Sequence, residues 1–86
     1  MTDIDGNEVA VGDVVRVLSV DEGFLDCLDE DARIHHLAMI GSDYCIDELV
    51  EDGTKASVSI QWNFTEGIAT GGLYMLPNEF RLIKRV

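Results

Sequence analysis

The spacing of apolar positions along the chain changes period twice, and each change predicts an element. In "VGDVVRVLSV" β-branched residues dominate and the period is two, which predicts a strand after a turn at Gly12-Asp13. Val15 and Val17 share one face and Leu18 and Val20 the other, so both faces are partly apolar, as in a strand covered from two sides. In "DEGFLDCLDEDARIHHLAMIG" the period moves toward 3.6. Asp29 suits an N-cap, Glu30 and Asp31 face the positive end of the helix dipole, and Gly41 can close the C-terminus, so a helix is predicted over about Glu30 to Met39. Its predicted buried stripe is Ile34, Leu37 and Ala38, with Phe24, Leu25 and Leu28 packing from the loop before it.

The alternating pattern returns in "DYCIDELVEDGTKASVSIQW", where Asp52-Gly53 is a strong hairpin signal between two strand-like runs. Two registers compete. A two-residue turn places Cys45 and Leu49 beside Ala56, Val58, Ile60 and Trp62, whereas a three-residue loop with a bulge at Gly53 places Tyr44, Ile46 and Val50 there. The second buries more apolar area and is the expectation, with a bulge near Glu48 turning that carboxylate outward. "NFTEGIATGG" reads as a flexible glycine-containing loop, "LYML" as a strand, "PNEF" (77–80) as a one-turn 3₁₀ element and "RLIKRV" as the last strand.

Five short strands, a helix within the first long connection and a 3₁₀ turn before the final strand define the expected order. Together with the residues "VGDVVRV", "MIGSDYCIDELVEDG" and "LYMLPNEFRLI", roughly Val11 to Lys84, it resembles SH3-like barrels, and in particular small acidic bacterial proteins with a helix in the first long loop. The resemblance implies a mainly β fold, a five-stranded antiparallel barrel with one inserted helix, and the length of 86 residues predicts one domain over residues 1–86. It is more distantly similar to small accessory subunits of photosynthetic electron transfer and to KOW-type RNA-binding modules. No catalytic residues are characteristic of the group, and fold analogy alone assigns no function.

Charge narrows the classes of partner. The chain of 86 residues carries 17 acidic and 6 basic side chains, a net −11. Residues 1–52 hold 15 acidic and 2 basic residues, or −13, and residues 53–86 hold 2 acidic and 4 basic, or +2. Phosphate backbones and anionic membranes are bound through Lys/Arg clusters, so nucleic acid and membrane surfaces are disfavoured and a basic protein is the compatible partner. With no basic n-region followed by an apolar stretch, the N-terminus does not read as a secretory signal, and a cytoplasmic location is expected. There Cys27 and Cys45 would remain thiols, and both read as small core hydrophobes.

Candidate chemistry centres on "ARIHHLAMIGSDYC". Cys27, His35, His36 and Cys45 have the atom types of a zinc site, but adjacent helix residues point about 100° apart, and neither C-x-x-C nor H-x₃₋₅-H spacing is present. A metal-binding protein using these four is therefore the alternative reading, and a helix-end role for the histidines, favourable to the C-terminal dipole, the preferred one. "DEGFLDCLDED" lacks the ligand positions of an EF-hand loop. The serines sit in no G-x-S-x-G elbow, and Gly67, Gly71 and Gly72 lack the Lys of a phosphate cradle. The expectation is a non-enzymatic interaction module without a cofactor, or a subunit of a larger assembly. Its binding surface would combine Asp26, Asp29, Glu30 and Asp31 with the aromatic residues around Phe64, near Trp62 and Tyr74.

Overall fold

The computed structural model describes residues 1–86, apart from the side chain of Phe64. Its elements run β1 (Val14–Val17), α1 (Glu22–Asp26), α2 (Glu30–Leu37), β2 (Asp43–Cys45), β3 (Glu48–Val50), β4 (Lys55–Phe64), β5 (Gly67–Met75), a 3₁₀ turn (Pro77–Glu79) and β6 (Phe80–Lys84). The fold is mainly β, with two three-stranded antiparallel sheets ordered β2-β1-β6 and β3-β4-β5. Six strands thus replace the expected five, and their ladders form two separate sheets rather than one closed barrel. None of the described helices is long and apolar enough to cross a membrane.

β1 is central to the first sheet, and its side chains alternate between core and solvent. Val15 and Val17 are fully buried, while Arg16 points outward to an ion pair with Asp43, its neighbour across β2, at 2.8 Å. The extra strand arises at Ile46-Asp47. Ile46 N–H donates to Asp13 O, and the next N–H, that of Asp47, donates to Ser57 O in the other sheet. The chain changes sheet in one step, and side-chain phase slips by one residue: Ile46 is buried, and Leu49 then lies opposite Ala56. The expected bulge register is therefore corrected. The β3–β4 register is the one an Asp52-Gly53 two-residue turn would set, although the loop spans residues 51–54, with Glu51, Asp52 and Gly53 all at positive φ. Cys45 stays with the first sheet, facing outward, and Glu48 is exposed.

The "NFTEGIATGG" loop is also corrected. β4 and β5 pair without interruption from Ala56↔Met75 to Phe64↔Gly67, around a turn at Thr65 and Glu66. Ala56, Val58, Ile60 and Trp62 share one face with Met75, Leu73, Gly71 and Ala69. The first part of that face packs into a core with Val15, Val17, Met39, Ile46 and Phe80, all fully buried or nearly so. The distal part, at Trp62 and Gly71, is covered by α2.

Two helices occupy the first long connection where one was expected. Asp21 caps α1 by accepting from Phe24 N–H at 3.0 Å, and Asp29 caps α2 by accepting from Ala32 N–H at 2.8 Å. α2 ends at Leu37, two residues early, and Gly41 turns the chain at φ +85° so that its N–H meets Val17 O at 2.7 Å. The helix face is the larger correction. Ile34 and Leu37 are 57% and 44% exposed and Ala38 is exposed, whereas His36 and Met39 are buried. Cys27 and Cys45, expected in the core, are both exposed.

Candidate interaction grooves

Alternation in "LYMLPNE" builds the larger concavity. Leu73 and Met75 point into the core, so Tyr74 and Leu76 must point out, and they are 62% and 45% exposed. α1 lies beside them, its first turn fixed by Asp21, and Phe24 lines the same surface. The result is a groove of about 500 Å³ lined by Asp21, Phe24, Lys55, Gly72, Tyr74, Leu76 and Glu79. Its two carboxylates also brace its walls: Asp21 caps α1, and Glu79 Oε1 accepts from Leu76 N–H at 2.8 Å, fixing the start of the 3₁₀ turn. Lys55 pairs with Glu51 at 3.2 Å. An aromatic and aliphatic floor between carboxylates can hold an extended segment that offers apolar side chains next to cationic ones.

A second, shallower groove of about 320 Å³ lies between α2, β2 and β4, lined by His35, Ala38, Tyr44, Ser59, Ile60, Gln61 and Trp62. His35 stacks on Trp62 with ring centroids 4.7 Å apart, and the Trp62 indole N–H donates to Asp31 Oδ2 at 2.8 Å. Trp62 is therefore tied down at both its face and its polar tip.

The acidic residues expected to form one surface are dispersed in role. Asp26 ends α1, Asp29 is a cap, Glu30 is exposed in the first turn of α2, and Asp31 holds Trp62. The side chain of Phe64 lies outside the described residues. The four candidate metal ligands are separated in role as well. His36 is buried with Nδ1 2.7 Å from Ala32 O and Nε2 3.1 Å from Gly72 O, and His35 Nδ1 is 2.9 Å from Asp31 O. Among the described residues no group of three or more His, Cys, Asp or Glu side chains could hold a metal ion.

The sequence places Tyr74 near a recognition surface, whereas its neighbours Phe24, Leu76, Asp21 and Glu79 emerge from the fold. A signal existed for Leu76: an unbroken apolar run on an antiparallel strand has to expose half its members. Nothing local could have placed α1 beside it. No family model matches the chain, and neither a curated protein nor a solved structure matches it.

Proposed function

We propose that this chain is a non-enzymatic interaction module that takes a cationic, partly apolar segment of a partner protein into the groove between α1, β5 and the 3₁₀ turn. The observation that carries the reading is the solvent-open floor of Phe24, Tyr74 and Leu76 between the Asp21 and Glu79 carboxylates. Exposed apolar patches rimmed by polar groups are the surfaces that partners cover, and aromatic residues dominate their energetics. The net charge of −11 steers a basic partner toward the molecule and repels polyanions. An SH3-like organisation belongs to the same reading. It is supported by the strand that passes from one sheet to the other at Ile46-Asp47, by the helical insert after β1, and by the 3₁₀ turn before the last strand.

The test is calorimetric titration with an alternating arginine–leucine peptide and with its glutamate–leucine counterpart. Binding of the first alone, weakened by salt, is expected. Tyr74→Ala should lower that affinity by about thirtyfold, the size of an interface hot spot. Equal binding of both peptides, or an unaltered affinity in Tyr74→Ala, overturns the reading.

A further inference from the structure

His36 lies directly behind the groove and is 2% exposed. Its Nδ1 approaches Ala32 O at 2.7 Å within α2, and its Nε2 approaches Gly72 O on β5 at 3.1 Å. Carbonyl oxygens only accept, so each contact needs an N–H on the ring. A neutral imidazole has one, and both contacts are hydrogen bonds at the same time only in the imidazolium form. The ring is held edgewise by Phe24, 5.4 Å away at 71°, and by Trp62, 6.1 Å away at 77°. Gly71 makes the approach feasible, because a Cβ there would sit 2.9 Å from His36 Cε1. Phe24 and Gly72, two of the residues His36 touches, also line the groove.

We propose that His36 is a proton-operated clasp between α2 and β5 that sets the shape of the groove, so that the affinity of the groove for its segment follows the protonation of this ring. The regulation rests on the groove reading above; the clasp itself does not. When the ring gives one proton to solvent, a lone pair replaces an N–H against one of the two carbonyls, and the longer contact, to Gly72, is the one released. Phe24 and the Gly72 edge of β5 then lose their shared support. The charged and titratable groups on the elements packed against the ring are, on α2, Glu30, Asp31 (bound to the Trp62 indole), Arg33 (donating to Leu25 O and Leu28 O) and His35; on α1 and its cap, Asp21, Glu22 and Asp26; and at the groove, Lys55, Tyr74 and Glu79. β4 and β5 contribute no carboxylate of their own. Simple charge attraction predicts the opposite pH trend, since protonating a histidine makes the molecule less negative and a cationic segment would bind more weakly. The sign of the trend therefore identifies the mechanism.

The experiment begins without any ligand. NMR pH titration of the labelled protein should show N–H at both ring nitrogens of His36 on the acidic side and at one on the alkaline side. The Gly72 and Leu73 amides and the Phe24 ring should shift at the same midpoint. H36Q, whose amide can donate to Gly72 O but does not titrate, should abolish that shared transition, and H35Q should keep it. The arginine–leucine peptide should then bind about fivefold more tightly below the midpoint than above it, the scale of one net hydrogen bond. Amides of Gly72 and Leu73 that ignore the His36 titration, or the same transition persisting in H36Q, overturn the clasp. Should H36Q not fold, the ring nitrogens of the wild-type protein decide: a single N–H at both pH extremes with Gly72 unchanged overturns it. Failure of the peptide to bind on either side, with the shared transition intact, overturns the regulation through the groove reading and leaves the clasp standing.

Discussion

Gly71 shows how one missing side chain organises a surface. It sits in mid-strand, where glycine weakens a sheet, yet the ring atoms of His36 and Trp62 occupy the space a Cβ would take, at 2.9 and 3.0 Å. Gly72, one position on, would bring a Cβ only into ordinary contact with Val58 O at 3.7 Å. Gly71→Ala is therefore expected to cost about 1–3 kcal/mol, as overpacking does. Gly72→Ala should stay within about 0.5 kcal/mol of the parent. Urea unfolding of the two variants checks the pair, and equal losses would show that the rings do not need the gap. The sequence marks both glycines alike; only the rings, brought from residues 36 and 62, tell them apart.

α2 is a helix whose start is written locally and whose orientation is not. Asp29 as cap and Glu30 and Asp31 in the first turn were legible, because each acts within one turn of its own position. The helix closes at Ala38, however, and Gly41, expected to close it, turns the chain toward Val17 instead. The buried face was not legible. The spacing of Ile34, Leu37 and Ala38 suggests an inward stripe, but the residues turned inward are His36 and Met39, offset around the helix. A histidine wins over an isoleucine here because its two polar atoms meet two carbonyls and its ring fits between aromatic neighbours. Ile34→Glu and Leu37→Glu should accordingly change stability by no more than about 0.5 kcal/mol, whereas Met39→Ala should cost about 2–5 kcal/mol by opening a core cavity. Thermal and chemical unfolding measure both, and a severe loss in Ile34→Glu would place the stripe back inside.

At the scale of the whole molecule, two buried carboxylates gather the chain ends onto the first sheet. Asp3 accepts from the N–H groups of Asp5 (2.9 Å), Asn7 (2.8 Å) and, across the molecule, Leu82 (2.7 Å). Asp13 accepts from Ala10 N–H at 2.9 Å and from Val86 N–H at 3.1 Å. Burial pushes the Asp3 carboxyl up, but the Leu82 and Asn7 donors together outweigh it and hold the group below its ordinary 3.8. For Asp13 the Val86 and Ala10 N–H groups, helped by Arg85, prevail over burial in the same direction. A carboxyl lowered on folding adds stability that is fully present above the unfolded value and is lost as pH falls through the folded one. The urea midpoint should therefore drop as pH falls below about 4, the unfolded carboxylate range. In Asp3→Asn that drop should be shallower, starting from a lower midpoint at neutral pH. A variant curve parallel to the parent's would remove Asp3 from the account.

The sequence by itself determined the strand at Val14–Val17, the start of α2, the Asp52-Gly53 reversal, the 3₁₀ turn at Pro77 and the acidic surface, because propensity, capping, turn chemistry and charge are settled among near neighbours. The tertiary structure decided what depends on meetings between distant residues. The crossing of Ile46-Asp47 from one sheet to the other needs Asp13 on one side and Ser57 on the other. The rotation of α2 needs Gly72, thirty-six positions beyond His36. The groove needs α1 laid against β5 and the 3₁₀ turn. A period of 3.6 or of two states which side chains travel together, and it takes the opposing surface to choose which of those sets is buried.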